Sequence, residues 1–262
     1  MDISIKINSV SRYKSPSQKI RVITESWVSN NAYCPNCGNI NINKYQNNKP
    51  VADFFCLHCK EEYELKSKKN KIGNKIVDGA YRSMTERLIS NTNPNLLLLT
   101  YDLIQLEIKD FYVIPKYFFI PDIIEIRKPL SPTARRAGWI GCNILIQEIP
   151  EAGKIYLIKN SRSVPKEKVL TDWKRTLFLR EEKDANTKGW LFDVMNCIEK
   201  IGKTEFTIDE IYSFEASLQK KHKSNKHIKA KIRQQLQILR DKNFLEFTER
   251  GKYRIKNEEN IG

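Results

Sequence analysis

The chain lacks any apolar run long enough to cross a bilayer, and its opening residues, MDISIKINSV, carry no apolar core of the signal-peptide kind. The expectation is a cytoplasmic protein with no membrane partner. Low-complexity tracts and internal repeats are also missing, which places the chain among folded globular proteins. Acid is in short supply: 31 Asp and Glu stand against 46 Lys and Arg, a formal net charge of +15. That excess points to an anionic partner. Nucleic acid ranks ahead of a membrane surface, because no basic amphipathic anchor helix stands out. A length of 262 residues is enough to bury a sizeable core, as one large domain or two ordinary ones.

Cysteine is scarce, six residues in all, yet four of them fall into two C-x-x-C pairs, Cys34/Cys37 and Cys56/Cys59. In a reducing compartment such pairs indicate metal rather than disulfides. The first pair, CPNCG, has Pro and Gly in and after its turn, and the spacing suits a tetrahedral Cys₄ zinc site. A closed four-thiolate shell leaves no open coordination position, so this zinc is expected to be structural. His58 sits inside the second knuckle but is not needed to complete the shell. Cys142 and Cys197 belong to no pattern and read as small buried apolar residues.

Around the second knuckle lies PVADFFCLHCKEEYELK, residues 50–66. Asp53 and the Glu64-Leu65-Lys66 segment each sit on a short apolar run that reads as strand. In a strand, positions i and i+2 share a face, roughly 6–7 Å apart along the chain, so Glu64 and Lys66 project together. If the knuckle turns the chain back, Asp53 returns beside them. Two carboxylates next to an amine suit Mg²⁺-dependent phosphodiester hydrolysis: oxygen ligands for a hard cation and a charge to hold water. A surface hairpin of solvated charges is the competing reading for a motif this short.

Ser15 or Ser17 can cap a helix with Ile20, Ile23 and Trp27 on one face. A further helix is expected from Lys75 to Ile89, with Ile76, Ala80, Met84 and Leu88 as its buried stripe. Leu96–Tyr101 reads as a fully buried strand, Phe111–Ile114 as another, and Ile155–Ile158 as the last of this part. That order predicts an α/β architecture with a mixed sheet. Residues 127–143, RKPLSPTARRAGWIGCN, have little regular pattern, and Arg135, Arg136 and Trp139 suggest a DNA-facing loop, with a Trp tucked into the core as the alternative. Residues 180–188, REEKDANTK, are the expected linker.

From Gly189 the chain reads as three helices and a hairpin: Trp190–Ile201, a helix capped by Thr207 with Glu210 as a capping box, His227–Asp241, and a wing turning at Glu249–Lys252. This is a winged helix-turn-helix. Lys229, Lys231 and Arg233 lie on the third helix with no acid among them before Asp241. Gln234 and Gln235 carry the amide fork that suits adenine in a major groove, and Arg250 and Lys252 are basic residues of the wing turn. A winged helix used only for protein contacts is the competing reading.

CPNCG, NNKPVADFFC, CKEEYELKSKK, PLSPTARRAGWIGCNI, GWLFDVMNCI and HIKAKIRQQLQILRDK together resemble the DpnI-type methyl-directed restriction endonucleases, over essentially the full chain. The resemblance implies a PD-(D/E)xK nuclease domain with an embedded Cys₄ zinc site at residues 1–183 and an α+β winged helix at 184–262. It implies Asp53, Glu64 and Lys66 as catalytic residues, and the backbone carbonyl of Leu65 as a further Mg²⁺ ligand. It also implies a monomeric bacterial enzyme that cuts double-stranded DNA at GATC sites carrying N6-methyladenine. One departure is visible: Pro50 is not adjacent to Asp53, so the "PD" half of the motif is degenerate. Two alternatives stand beside this reading. A non-catalytic, zinc-containing winged-helix regulator would have no need of Asp53, Glu64 and Lys66 together. A nuclease for RNA or single strands fits poorly with a module that reads duplex grooves.

Overall fold

The computed structural model describes residues 1–6, 15–46 and 51–256; Pro50, and with it the degenerate motif half, lies outside them. The chain forms two compact units, one of Met1–Ile146 with Ala152–Lys174 and the other of Gln147–Glu151 with Arg175–Gly262.

The first unit opens with helix α1 (Pro16–Asn31), which starts with a proline in its first turn, where the missing N–H costs nothing. Ser15 occupies the cap position in extended conformation, although its hydroxyl bonds Ser17 Oγ rather than the backbone. Strands β1 (Asn43–Lys44), β2 (Phe54–Phe55) and β3 (Glu62–Lys69) follow, then β4 (Ile76–Ala80), helix α2 (Tyr81–Ser90), β5 (Asn95–Asp102) and β6 (Glu107–Ile114). Next come β7 (Ile124–Ile126), β8 (Gly141–Ile144), β9 (Ile155–Lys159), β10 (Arg162–Ser163) and helix α3 (Lys166–Arg175).

Seven strands form one mixed sheet in the order β1-β2-β3-β5-β6-β9-β10, and β4-β8-β7 form a second, antiparallel sheet. Strand β5 is the centre of the large sheet, parallel to β3 and antiparallel to β6. Its Leu96–Leu99 run is buried on both faces, as a continuous apolar strand requires, and each leucine contributes about 1.5–3 kcal/mol over an exposed one. Helix α1 lies against this sheet. Trp27 meets Phe111 edge to face at 5.4 Å, and the Thr24 and Ser67 hydroxyls are 3.3 Å apart.

The second unit contains α4 (Phe178–Glu181), α5 (Ala185–Ile201), β11 (Glu205–Thr207), α6 (Ile208–Tyr212), α7 (Glu215–Lys221), α8 (Ile228–Asp241), β12 (Leu245–Glu249) and β13 (Lys252–Ile255). Asp184 caps α5 by accepting the Thr187 N–H at 2.7 Å, and Gly202 ends the helix in the left-handed conformation only glycine adopts freely. Thr207 and Glu210 form the reciprocal capping box expected for α6. Ile228, Ile232, Leu236 and Leu239 on α8 are all buried. The wing is a three-stranded sheet, β11-β13-β12, with its tight turn at Gly251 (φ +74°). No described helix is long and apolar enough to cross a membrane.

Four expectations change. The predicted Lys75–Ile89 helix is a strand, β4, followed by a shorter helix, α2, because Ile76–Ala80 pairs with β8 and buries Asp78 rather than an apolar stripe. The apparent helical spacing of Ile76 and Ala80 was therefore an accident overridden by sheet pairing. Of the irregular 127–143 segment, Gly141–Ile144 is a strand. The 180–188 linker is helical at both ends, leaving residues 182–184 without regular structure. Strand β9 is followed by a further short strand, β10, after a turn at Asn160 and Ser161.

Candidate active site, metal centre and nucleic-acid interface

Each C-x-x-C pair forms a tight backbone turn. The Gly38 N–H reaches the Cys34 carbonyl at 2.8 Å, and the Lys60 N–H reaches that of Cys56 at 3.0 Å. The turns bring Cys34, Cys37, Cys56 and Cys59 together, with all four Sγ atoms within 4.8 Å of one another. Cys34–Cys59 and Cys37–Cys56 are 3.5 and 3.6 Å apart. Tetrahedral zinc with bonds of about 2.3 Å requires edges of ~3.8 Å, so the donor set and its size suit a metal ion such as zinc. Exposed His58 is not part of the group. The Tyr63 hydroxyl, fully buried, lies 3.1 Å from Cys34 Sγ.

Tyr63 also links this centre to the acidic residues. It pairs with Phe54 across β2 and β3, and its carbonyl accepts the Asp53 N–H at 2.9 Å. Asp53 thus sits at the entry to β2, where its Oδ2 accepts the Leu65 N–H at 2.8 Å and its Oδ1 faces the Arg21 guanidinium at 3.8 Å. Glu64 and Lys66 share a face of β3, and the Lys66 ammonium is 2.8 Å from Glu64 Oε1. The structure therefore brings the three sequence-nominated residues to one hairpin.

It also adds residues that no motif flagged. Asp78 on β4 places Oδ1 2.6 Å from Lys66 Nζ, and Arg87 on α2 lies 3.7 Å from its Oδ2. Buried Glu25 on α1 pairs with Arg21 and with Lys44. Alternation in IVDGA was the available signal for Asp78, since Val77 and Gly79 are exposed while Asp78 is buried.

Burial raises the Asp53 carboxyl above the usual carboxylate range; Glu25 adds to this, and the Leu65 N–H and Arg21 offset part of it. Burial likewise raises Glu64, with Lys66 opposing and Asp78 reinforcing. For Lys66, burial favours the neutral amine, but Glu64 and Asp78 outweigh it and hold the pKa above the ordinary lysine value. Among the described residues these carboxylates do not converge as a three-ligand cluster. Asp53 and Glu64, half-buried oxygen donors facing Arg21 and Lys66, fit Mg²⁺, which takes one or two carboxylates and completes its shell with water and phosphate.

A stability effect follows. A carboxyl whose folded pKa lies above its unfolded value binds more protons when folded, so stability falls as pH rises from the unfolded to the folded pKa. In zinc-loaded protein with no other divalent cation added, Asp53→Asn is expected to melt above wild type at pH 7, with the difference vanishing below about pH 4. A thermal scan at the two pH values checks it; a lower Tm at both would contradict the burial argument.

The residues nominated for DNA contact distribute as follows. Backbone bonds from Arg127 N to Gly141 O (3.0 Å) and from Leu130 N to Trp139 O (2.9 Å) close the 127–141 segment at its base. Arg135 and Arg136 are exposed at its far end, and half-buried Trp139 stacks under Arg136 at 4.7 Å. A Cβ at Gly141 would come within 2.8 Å of the Trp139 ring, so glycine is what lets the indole pack this close to β8. On α8, Lys229, Arg233 and Gln234 are exposed; Lys229 and Arg233 flank the Tyr212 ring, and half-buried Lys231 faces Trp190 at 6.0 Å. Gln235 corrects the sequence reading: it is fully buried, on the core side of α8 beside Leu236, and presents no amide to a groove. Arg250 and Lys252 are exposed on the wing turn, with Lys252 paired to Glu249.

Comparison with known families gives two matches. A model described as DpnI, the Dam-replacing family, covers residues 1–182, and one described as DpnI_C, the Dam-replacing HTH domain, covers residues 186–255. The second makes the winged helix a DNA-binding module, and the first covers the segment that holds Asp53, Glu64 and Lys66. The chain belongs to the Dam-replacing family of DpnI-type, methylation-dependent restriction endonucleases.

Proposed function

We propose that this enzyme hydrolyses double-stranded DNA at GATC sites carrying N6-methyladenine, with Mg²⁺ at Asp53, Glu64 and the Leu65 carbonyl, and zinc at the four cysteines. The observation that carries the nuclease reading is the ion-paired Glu64–Lys66 couple on one face of β3, with Asp53 bonded to the intervening Leu65. Bound Mg²⁺ supplies positive charge for the scissile phosphate. Asp53 and Glu64 hold the site open to a hard cation, and Lys66 orients the attacking water and offers its ammonium to the developing negative charge. GATC and methyl specificity rest on the sequence blocks shared with the family. The proposed division is a nuclease domain at 1–183 and a DNA-reading domain at 184–262, in a monomeric bacterial cytoplasmic enzyme.

The test is digestion of one plasmid prepared with and without adenine methylation, in Mg²⁺ and in EDTA. Cutting of the methylated form in Mg²⁺ only is expected. A protein that binds this plasmid but never cuts it would instead be a regulator.

One methyl group gives weak leverage. Its burial contributes about 0.8 kcal/mol, and a shaped pocket discriminates by ~1–3 kcal/mol. Two surfaces that both read methylation multiply their selectivities, because separated contacts add in free energy. The winged helix alone, about residues 185–262, is therefore expected to bind methylated GATC duplex about tenfold or more tightly than unmethylated duplex, the lower part of that range. A titration at fixed salt on fully, half- and unmethylated duplexes checks it. Equal affinities would leave the winged helix as an anchor only.

A further inference from the structure

Among the described residues Lys66 has two carboxylate partners, and only one of them belongs to the sequence motif. Its ammonium is largely buried, with 18% of the side chain exposed, and Asp78 is more buried still, at 3%. The contact to Asp78 (2.6 Å) is shorter than that to Glu64 (2.8 Å). The two partners also come from different sheets: Glu64 from β3 of the seven-stranded sheet, Asp78 from β4 of the three-stranded one. Asp78 lies in the irregular stretch of β4 between Val77 and Ala80, both of which pair with β8, and it is faced by Arg87, whose Nε bonds Asn93 Oδ1 at 3.1 Å.

We infer that Asp78 is a positioning residue for Lys66, giving the ammonium a fixed partner so that Glu64 is free to ligate a divalent cation. This rests on the active-site reading above. Without Asp78 the ammonium would have Glu64 as its sole close carboxylate among the described residues, and cation and lysine would compete for the same oxygens. A buried ammonium stripped of every partner is costly, so the competition would favour the lysine. With Asp78 in place, the Lys66 charge stays compensated whichever way Glu64 turns.

The experiment is a double-mutant cycle in the full-length protein bound to methylated duplex, with Ca²⁺ binding read by calorimetry and single-turnover cleavage read in Mg²⁺. Asp78→Asn is expected to weaken Ca²⁺ binding and slow cleavage about 10–100-fold, the range found for outer-sphere partners of metal sites, with duplex affinity unchanged. In a Lys66→Met background the same substitution is expected to leave Ca²⁺ affinity unaltered, because the competitor is gone. Equal weakening in both backgrounds would make Asp78 a metal ligand or a purely structural residue, and no weakening in either would also overturn the inference. Should Asp78→Asn fail to fold, Arg87→Gln carries the same cycle. It is expected to weaken Ca²⁺ less, and only when Lys66 is present; no effect, or an effect independent of Lys66, would count against the inference. Asp53→Ala and Glu64→Ala separate the two levels: if both still bind Ca²⁺ and cut, the active-site reading fails, whatever Asp78 does.

Discussion

Asp53→Ala, Glu64→Ala and Lys66→Ala are each expected to lose cleavage of methylated DNA by on the order of 10²–10³-fold or more, the scale on which removing a preorganised charge-stabilising group acts. Binding of the same duplex should survive. The reason lies in what each side chain touches. Asp53 is tied to the β3 backbone through Leu65, and Glu64 and Lys66 are tied to one another, so the three act as a unit within one hairpin. None of them contributes to the apolar core. Their loss should therefore cost chemistry rather than fold, and in zinc-loaded protein without added Mg²⁺ the carboxylate variants should melt no lower than wild type. Initial rates on methylated plasmid, with duplex affinity in Ca²⁺ and Tm measured alongside, test this. An Asp53→Ala protein that cuts near the wild-type rate would remove Asp53 from the active site.

The second large effect concerns the cysteines. Serine at Cys34, Cys37, Cys56 or Cys59 is expected to lower the Tm by many degrees and to abolish cleavage indirectly. Structural zinc sites return about 10–16 kcal/mol of binding free energy in isolated fingers, against a total domain stability of about 5–15 kcal/mol. The route to the active site is short. Cys56 follows the strand that begins beside Asp53, and Tyr63, one residue before Glu64, places its hydroxyl against Cys34. Removing the clamp therefore loosens the turn that returns Asp53 to β3. Metal analysis should find about one zinc per chain, and chelation should reproduce the Cys→Ser phenotype. Normal melting and activity in a zinc-free protein would contradict the role assigned to the cluster.

Much of the candidate site was legible because it is local. A C-x-x-C pair closes its own turn, and positions i and i+2 of a strand share a face whatever surrounds them. The capping box at Thr207 and Glu210 and the stripe on α8 are short-range patterns for the same reason. The stripe also limited the reading. Four apolar residues define which way α8 faces only approximately, so Gln235, adjacent to Leu236, was assigned to the groove side when packing turns it inward.

The amino-acid sequence by itself determined the α/β class, the four-cysteine centre, the Glu64–Lys66 couple, the winged helix and the family. Each of these is written in spacings of a few residues or in blocks of matching sequence. Tertiary structure decided that Ile76–Ala80 would be strand rather than helix, that Trp139 would lie on Gly141, and that Asp78 and Arg87 would stand beside Lys66. These depend on β4 finding β8, more than sixty residues away along the chain. A segment with both helical spacing and strand alternation cannot choose alone, because local propensities differ by less than the free energy released when a sheet partner satisfies its backbone.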